Sequence, residues 1–397
     1  MKISYIYRCL MSAIVILLSA CQPSKKLEHN TNLILVTPLS TNGIVLPVII
    51  KNKRYSFLLD TGASYSAIDN KLASLLTLTT PKEDIPLYFH QFLTDGLITT
   101  NDKLNNFKLW RPLPIEIGTY TILGHDPWIG LDLILFSQAF GQKIDGILGV
   151  EVFRQLNWAI NNKAKTITIW KQEPSKINYQ NCVPYEDAYA QSPLLIINNK
   201  NQSDQWNSAS LNVDTGADDT VISNELLSFW KNSKKCKLTL DQKNIVGASA
   251  SGLNTNETYL IDCLFFDQMR VGNFKIHVTK NNINKLGFDF FSRFDNYIFI
   301  PNKMQFCYNA TKFTQNDKKF LRYFSLAYYN NHLEFRYNNP DNIARYHLLN
   351  GDILLQINNI NVNNLDIKQI RELLNTTPFN KLNLLILRGK NKIKLQI

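Results

Sequence analysis

One tetrapeptide occurs twice in this chain. Residues 60–63 and residues 214–217 both read Asp-Thr-Gly-Ala, and an apolar run precedes and follows each copy. At average residue usage, Asp-Thr-Gly is expected by chance only about 0.1 times in a chain of this length. Two carboxylates delivered by two copies of one structural unit predict a pair that lies close together and shares a single proton.

Such a pair has a defined chemistry. Two carboxyl groups about 3 Å apart cannot both ionise, so one pKa rises and the other falls. One carboxylate can then take a proton from a bound water while the other carboxyl group donates to a substrate carbonyl, with no metal, cofactor or covalent intermediate. We therefore predict Asp60 and Asp214 as the catalytic pair. Threonine can hydrogen-bond across a symmetric junction and glycine permits close backbone approach, so the predicted supporting residues are Thr61, Gly62, Thr215 and Gly216.

The elements that must position these residues are also repeated. Residues 115–122 match residues 269–276 as a strand with one central glycine, and each glycine lies 58 positions after its aspartate. Self-similarity at this level indicates that one unit was duplicated.

A third matching block follows in each copy. Residues 148–153 read Leu-Gly-Val-Glu-Val-Phe, and residues 286–291 read Leu-Gly-Phe-Asp-Phe-Phe. The distance to this block is longer in the first copy, and we expect the insert around residues 123–137, as a loop and a helix.

The chain of 397 residues exceeds one ordinary core. Strand-like apolar segments separated by Asn, Gly and Pro turns predict a mostly β protein of two lobes related by a pseudo-two-fold axis. The expected divisions are a signal peptide at 1–20, a tether at 21–32, a first lobe at 33–172, a linker at 173–193, a second lobe at 194–308 and a small α+β domain at 320–397.

The N-terminus has the pattern of an export signal. Lys2 and Arg8 precede an apolar stretch that is short for a membrane span, and the stretch ends in Leu-Ser-Ala-Cys. This ending resembles the processing box of bacterial lipoproteins, which implies lipidation of Cys21; ordinary cleavage near Ala20 is the alternative. Gln22 after the cysteine favours the periplasmic side of the outer membrane in a two-membrane bacterium.

Composition and motif content exclude several other classes of protein. A hydrophobic content of 45% and a charged content of 19% describe a globular protein, and the net charge of +11 comes without the interleaved aromatic residues of a nucleic-acid platform. His-Glu-x-x-His, Gly-x-Ser-x-Gly and Cys-x-x-Cys motifs are absent from the sequence. Four cysteines lie beyond the tether and permit three pairings, none of which the sequence selects: Cys182, Cys236, Cys263 and Cys307.

The C-terminal segment has a different character. Gly-Asp-Ile-Leu at 351–354 is followed by Ile-Asn, a helical pattern at 365–375 and a closing hairpin. This arrangement resembles a PDZ domain over about 80 residues. Its carboxylate-binding loop should lie near residues 323–326, which lack the usual glycines, and whether it binds a peptide stays open.

The duplicated motifs are similar to those of clan AA aspartic peptidases, and alanine after Asp-Thr-Gly resembles the retropepsin-like branch. The resemblance spans residues 33–308 and implies two closed β-barrel lobes, a cleft between them, and Asp60 and Asp214 as catalytic residues. Both halves lie in one chain, which implies a monomer. The retroviral pattern has arginine after the third-block glycine, where this chain has Val150 and Phe288.

The same resemblance implies flap hairpins over the cleft. We expect one at residues 247–252 in the second lobe and one at 92–99 in the first. The candidate substrate-binding residues are Ala63, Ala217, Asp218, Gly96, Gly247, Ala248 and Ser249. Asp218 and Asp219 are equally compatible with stabilising a turn, and Asp145 and Glu151 are expected as turn or surface carboxylates.

The predicted function is hydrolysis of peptide bonds in a protein or peptide substrate by an aspartic endopeptidase. The alternative is a catalytically silent, peptide-binding lipoprotein that uses the cleft and the PDZ-like groove, and a third is an assembly scaffold. Because Ala63 and Ala217 lack a hydroxyl that would lower the pKa of the pair, a mildly acidic optimum is expected. The substrate preference cannot be read from the sequence.

Overall fold

The structure is a computed structural model. It describes residues 32–40, 43–98, 103–105, 107–175, 178–187, 191–200, 206–231, 238–249, 252–262, 264–272, 274–311, 324, 326–329, 332–335, 341–344, 346–365, 367–378 and 380–397. Cys21, Cys236 and Cys263 lie outside these residues, as do the expected signal peptide and almost all of the tether.

The first part of the chain is built mainly of short strands. They are β1 (Leu33–Pro38), β2 (Ile44–Ile50), β3 (Lys53–Leu59), β4 (Ala67–Asp69), β5 (Leu97–Ile98), β6 (Lys103–Leu104), β7 (Lys108–Trp110), β8 (Ile115–Ile117), β9 (Tyr120–Ile122), β10 (Trp128–Leu131), β11 (Gly146–Leu148), β12 (Asn157–Asn161) and β13 (Thr166–Trp170). The helices between them are α1 (Asn70–Leu76), α2 (Leu87–Asp95), α3 (Ile134–Phe140) and α4 (Val150–Phe153), with a 3-10 turn at Lys82–Asp84.

The second part repeats this pattern. Its strands are β14 (Asn181–Pro184), β15 (Leu194–Lys200), β16 (Trp206–Val213), β17 (Val221–Ser223), β18 (Leu238–Ser249), β19 (Gly252–Ile261), β20 (Leu264–Phe266), β21 (Met269–Val271), β22 (Phe274–Thr279), β23 (Lys285–Leu286), β24 (Asn296–Ile300) and β25 (Gln305–Asn309). Its helices are α5 (Asn224–Lys231) and α6 (Phe288–Phe291), with a 3-10 turn at Pro301–Lys303.

The C-terminal segment has its own elements. Its strands are β26 (Leu326–Tyr329), β27 (His332–Phe335), β28 (Ile353–Ile357), β29 (Ile360–Asn361), β30 (Asn383–Arg388) and β31 (Asn391–Gln396). Its helices are α7 (Asp341–Ala344) and α8 (Ile367–Thr376), with a 3-10 turn at Val362–Asn364.

Two sheets follow the same strand order. The first is β7-β10-β4-β11-β3-β2-β8-β9, and the second is β19-β22-β17-β23-β16-β15-β20-β21, with β18 added at the β19 edge. We name the unit from β2 to α4 the first repeat and the unit from β15 to α6 the second repeat. Strand β2 alternates buried and half-buried residues, while the central strand β11 is buried throughout. A strand that is covered on both faces has to be apolar at every position.

The match between the central glycines is wrong. Gly118 lies in the turn between β8 and β9, and the corresponding turn of the second repeat, between β20 and β21, begins at Asp267. The backbone φ is 56° at Gly118 and 53° at Asp267. Aspartate is one of the residues that tolerate this left-handed conformation, so the turn geometry is retained without glycine. Gly272 instead lies just after β21.

The insert also lies later than expected. Fourteen residues, 132–145, separate β10 from β11, whereas five residues, 280–284, separate β22 from β23. The longer connection contains α3, so a loop and a helix are present, but they follow β10 rather than filling residues 123–137.

A six-stranded sheet joins the two repeats, in the order β1-β13-β12-β24-β25-β14. Its centre is the antiparallel pair β12 and β24, with Trp158 opposite Phe299 and Ile160 opposite Tyr297. One strand of this pair follows each repeat, so this six-stranded sheet connects the two repeats by continuous hydrogen bonding. We name it the base sheet.

The expected linker at 173–193 is more ordered than its composition suggests. Its β14 pairs with β25, and Cys182, opposite Cys307, forms a disulfide with it. Asp187 accepts a hydrogen bond from Arg154 Nε at 2.9 Å. Residues 181–184 of the linker thus form an edge strand of the base sheet.

The C-terminal segment forms a sheet in the order β26-β27-β28-β30-β31 with a separate apolar core, in which Phe335, Ile370 and Ile386 are fully buried. Buried Asp352 accepts two hydrogen bonds of 2.8 Å from Arg388, which ties β30 to the turn before β28. Across the described residues, no helix is both long enough and apolar enough to cross a membrane.

Candidate active site

Asp60 and Asp214 occupy equivalent places at the ends of β3 and β16. The backbone N–H of Asp60 donates to Leu148 O, and that of Asp214 donates to Leu286 O, both at 2.9 Å. The neighbouring strands β11 and β23 therefore hold the two aspartates at the same height in their sheets.

The threonines that follow connect the repeats to each other. Thr61 Oγ1 donates to Val213 O at 2.6 Å, and Thr215 Oγ1 donates to Leu59 O at 2.7 Å. Each hydroxyl oxygen also accepts the backbone N–H of the opposite threonine, at 3.1 Å in both directions. Both threonine side chains are buried, so these reciprocal bonds fix the relative position of the two aspartate loops.

The glycines are required by close approach. A Cβ atom on Gly62 would lie 2.6 Å from Cγ of Asp214, and one on Gly216 would lie 2.3 Å from Cγ of Asp60. Real Cβ atoms do not reach such distances, so any other residue would push the opposite aspartate away. Each glycine thereby admits the carboxyl group of the other repeat.

The two carboxyl groups interact directly. Asp60 and Asp214 share a side-chain hydrogen bond, and burial together with the charge of Asp214 raises the pKa of Asp60 well above its ordinary value. Lys285 acts on Asp60 in the opposite direction and more weakly. The pair is therefore arranged to retain one proton in the pH range where isolated carboxyl groups have lost it.

The backbone donors to the two carboxylates are unequal. Asp60 Oδ1 accepts a hydrogen bond from Gly62 N at 2.8 Å. Asp214 Oδ1 accepts from both Gly216 N, at 3.1 Å, and Ala217 N, at 2.9 Å. In the first repeat, the N–H of Ala63 donates to the backbone oxygen of Asp60, at 3.2 Å.

Lys285 is a site residue that the sequence reasoning missed. Its Nζ lies 2.6 Å from Asp214 Oδ2, and its side chain is only 12% exposed. Lys285 stands immediately before Leu286, as Ile147 stands before Leu148 in the first repeat. A lysine where the other copy has an isoleucine was the available signal.

A hydroxyl and a carboxylate lie behind the loop of the first repeat. Ser66 Oγ accepts from Gly149 N at 3.0 Å, and Ser66 N donates to Glu151 Oε1 at 2.8 Å. Burial raises the pKa of Glu151. Asp145 is also buried and accepts from Ser56 N at 2.9 Å. Asp145 and Glu151 were expected as turn or surface carboxylates, but Asp145 is buried and Glu151 is half-buried, and each accepts a hydrogen bond from a backbone N–H that is distant in the chain.

The second repeat has the same arrangement. Thr220 Oγ1 accepts from Gly287 N at 3.0 Å and donates to Asp289 Oδ1 at 2.8 Å. Burial, assisted by the charge of Asp219, raises the pKa of Asp289 to about 7. The carboxyl groups of Glu151 and Asp289 thus lie one position after Val150 and Phe288, where the retroviral pattern has arginine.

Asp218 and Asp219 have different partners. Asp218 Oδ2 lies 3.4 Å from Arg371 Nη1, on helix α8 of the C-terminal segment. Asp219 Oδ2 lies 3.1 Å from His277 Nε2. Burial alone would raise the pKa of Asp219, but His277 and Lys275 outweigh it and hold the pKa below the usual range.

The two expected flaps differ. Gly247, Ala248 and Ser249 form the end of β18, which pairs with β19 in a long hairpin whose connecting residues lie outside the described part. In the first repeat, Phe92 and the residues up to Asp95 are the last turn of α2 rather than a strand. Gly96 ends that helix with φ of 81°, and the short β5–β6 hairpin follows.

Apolar side chains surround Ile147 in the first repeat. They form a cluster with Leu58, Tyr65 and Phe89, in which the rings of Tyr65 and Phe89 are 4.4 Å apart between centroids. Sequence reasoning did not identify this cluster, because α2 and β3 are far apart along the chain.

Within the described residues, no group of three or more His, Cys, Asp or Glu side chains is arranged to hold a metal ion. The arrangement at Asp60 and Asp214 is instead suited to moving protons between two carboxyl groups and a water molecule.

Comparison with known proteins bears on the first repeat. A search of curated proteins found no match to this chain. The family model described as aspartyl protease matches residues 46–152, a stretch that runs from β2 into α4 and includes Asp60 but not Asp214. The first repeat is therefore similar to the aspartyl protease family, which supports an aspartic peptidase-like function.

Proposed function

We propose that this protein is an aspartic endopeptidase in which Asp60 and Asp214 act together on a water molecule. The water oxygen attacks a peptide carbonyl carbon while one carboxylate accepts a water proton and the other carboxyl group protonates the carbonyl oxygen. The resulting diol loses the amine as the C–N bond breaks, and the amine leaves with the proton that the first carboxylate had taken.

The observation that carries this proposal is the reciprocal frame around the pair. Thr61 and Thr215 bond across the junction with nearly equal distances, and Gly62 and Gly216 each make room for the opposite carboxyl group. A frame that holds two acids against each other costs stability, because bringing like charges together in a partly buried site is unfavourable. We interpret its retention in both repeats as support for catalysis.

The test uses the full chain in mild detergent and a mixed peptide library, assayed between about pH 3 and pH 8. Cleavage should occur in the wild type and fall by at least about 1,000-fold in Asp60→Asn and in Asp214→Asn, since each removes half of the proton relay. Glu116→Gln, which changes an exposed carboxylate on β8 outside every candidate site residue, is the matched control and should retain activity.

Circular dichroism and thermal unfolding must show that both active-site variants remain folded. Equal cleavage by the wild type and both folded variants would contradict the proposal. The cleavage sites in the library would also define the residues preferred on either side of the scissile bond.

A second candidate is a peptide-binding protein that does not hydrolyse its ligand. Lys285 is the observation on its side, because an ammonium group 2.6 Å from Asp214 takes a hydrogen-bonding position that a water could otherwise use. Under this alternative the wild type binds library peptides without cleaving them, and Lys285→Met gains activity. Under the peptidase proposal, the same variant remains active with an altered pH dependence.

We further propose that the C-terminal segment is a PDZ-like module and that peptide binding to it changes the rate of cleavage at Asp60 and Asp214. Strand β26 and helix α8 both approach Gly141, since a Cβ on that glycine would lie 3.1 Å from Ile367 and 3.4 Å from Tyr328. Arg371 also donates to Ala139 O at 3.4 Å. A peptide added between β26 and α8 would compete with this contact, and a change in cleavage rate when such a peptide is titrated in would test the idea.

The proposed location is the periplasmic side of an outer membrane, reached by export and lipidation of Cys21. Support comes from the sequence pattern of the first 21 residues. Metabolic labelling with a fatty acid should mark the wild type and not Cys21→Ala, and membrane fractionation should follow the label.

A further inference from the structure

We infer that Lys285 fixes the roles of the two aspartates, keeping Asp214 as the carboxylate that accepts a water proton and leaving Asp60 as the acid that donates to the substrate. The inference rests on the proposed peptidase function, because it divides the steps of that reaction between two residues. Lys285 is thus a positioning residue, since it acts through Asp214.

Hydrogen bonds to the two carboxylates support this division. Asp214 accepts from Gly216 N and Ala217 N on one oxygen and from Lys285 Nζ on the other. The backbone donor to the Asp60 carboxylate is Gly62 N. Donors and a neighbouring cation favour the ionised form of a carboxyl group, so the negative charge of the pair is better stabilised on Asp214.

Burial strengthens the electrostatic effect of Lys285 on Asp214. The side chains of Lys285 and Asp214 are 12% and 8% exposed, so water screens their attraction little. Among charged groups, Asp214 and Lys285 act on Asp60 directly. Further along the second-repeat loop, Asp218 and Asp219 are paired with Arg371 and His277.

The carboxyl groups behind the loops do not compensate for Lys285. Glu151 accepts the backbone N–H of Ser66, and Asp289 accepts the hydroxyl of Thr220, so each repeat has one carboxyl group at the equivalent position behind its loop. Their charges therefore do little to distinguish Asp60 from Asp214.

The proton transfers follow from this assignment. Asp214 takes one proton from the attacking water as the new C–O bond forms, and Asp60 gives its proton to the carbonyl oxygen. When the C–N bond breaks, Asp214 passes its proton to the amine and the diol returns a proton to Asp60. The pair ends with the same charge and the same protonated member as it began, so no other reactant is needed.

The first repeat has no equivalent of this cation. Ile147 holds the corresponding position at 3% exposure within an apolar cluster. The preference for one ionised aspartate therefore follows from a sequence difference between otherwise matching units.

The test measures how kcat/KM depends on pH for the wild type, Lys285→Met and Lys285→Arg. The acid limb reports ionisation of the pair, and loss of a contacting cation should move it up by about one to three pH units in Lys285→Met. The alkaline limb should move less, because the charge of Lys285 affects the pKa of Asp60 less than burial and the charge of Asp214 do. Lys285→Arg keeps the charge and should leave the acid limb within about half a unit of the wild type.

The matched control is Lys280→Met, which removes an exposed lysine from the same connection before β23 and should leave both limbs in place. A purely structural role for Lys285 would lower kcat at every pH without moving either limb. An active Lys285→Met variant with unmoved limbs would overturn the inference and leave the proposed function intact.

A second measurement does not depend on activity. Protein labelled with ¹³C at the aspartate carboxyl carbons is titrated by NMR, and the two signals of the pair are assigned by their loss in Asp60→Asn and Asp214→Asn. The Asp60 signal should show a protonated carboxyl group at pH values where exposed aspartates have ionised, and its titration midpoint should rise further when Lys285→Met removes the opposing charge. An Asp60 signal that titrates like that of an exposed aspartate, or a midpoint that Lys285→Met leaves unchanged, would refute the assignment even if no substrate had been cleaved.

Discussion

The two repeats position their aspartates by the same backbone contacts but differ in the side chains next to those aspartates. Both hold their aspartate by a backbone hydrogen bond of 2.9 Å to the neighbouring strand, and behind each loop a carboxyl group accepts a hydrogen bond, from Ser66 N in the first repeat and from Thr220 Oγ1 in the second. Next to the carboxyl pair, however, the first repeat has Leu58 and Ile147 where the second has Asn212 and Lys285. The framework sets where the acids lie, while the flanking side chains decide how they differ.

This contrast separates two kinds of constraint. Residues that touch the opposite repeat must fit a symmetric junction, so a change in one copy demands a matching change in the other. Lys285 instead contacts the carboxylate of its own repeat, outside the threonine and glycine contacts that join the two copies, so this position can differ between them. Asymmetry of the pair is therefore available without disturbing the junction.

The largest expected effect comes from breaking the shared frame. Gly62→Ala and Gly216→Ala each place a methyl group within 2.3–2.6 Å of the opposite carboxyl carbon. A displacement of about 1 Å at a reacting group costs about 100-fold in rate, so each variant should lose at least that much kcat/KM. Similar losses in the two variants would support a symmetric frame, whereas one fully active variant would show that its repeat can yield.

The threonine bonds should have smaller and equal effects. Thr61→Val and Thr215→Val each remove a buried hydroxyl that both donates and accepts across the junction. Leaving these backbone groups unpaired should lower the free energy of unfolding by about 1–3 kcal/mol in either variant, measured by urea denaturation. A difference of more than about 2 kcal/mol between the two would contradict the symmetric description.

The carboxyl groups behind the loops should make stability depend on pH. Asp289 has a pKa of about 7 in the folded protein, above its ordinary value of 3.8, so the folded state binds its proton more tightly than the unfolded state does. Stability should therefore fall as pH rises from about 4 to about 7, by at most about 1.4 kcal/mol per pH unit for this group.

Asp289→Asn should reduce that slope, measured by thermal unfolding across the same range. Glu151→Gln is the counterpart in the first repeat and should act in the same direction, because burial raises the pKa of Glu151 as well. A slope that is unchanged in Asp289→Asn would show that other groups cause the pH dependence.

The smallest effect concerns Asp218, which the first repeat replaces with Ser64. Asp218→Ser should weaken the contact with Arg371, and a partly exposed ion pair of this kind contributes about 0.2–1 kcal/mol. A double-mutant cycle with Arg371→Ala measures the coupling. A coupling near zero would mean that the C-terminal segment is held to the second repeat by other contacts.

The sequence predicts the role of a site residue well when neighbouring residues define that role, and poorly when a residue far along the chain defines it. The Asp-Thr-Gly-Ala motifs are local, and the junction between them could be inferred from residue type and duplication alone. Lys285 was missed although the third block aligns it with Ile147, because the sequence alone does not show that β23 brings it beside Asp214, 71 positions earlier in the chain.

Two alignment errors have physical causes. Glycine identity suggested that Gly118 corresponds to Gly272, but the conserved feature is a left-handed turn, which Asp267 adopts equally well. The insert was placed too early because that mismatch shifted everything between β9 and β11. Residue identity was a weaker guide here than backbone conformation.

The disulfide between Cys182 and Cys307 would keep the chain covalently joined after a proteolytic cut. The bond joins residues 125 positions apart, and the whole second repeat lies between them. A single cut anywhere in that stretch, including the long β18–β19 hairpin, leaves both fragments covalently joined and each anchored in the base sheet. A chain cut in that hairpin would then remain in one piece on a non-reducing gel, and would separate only after reduction.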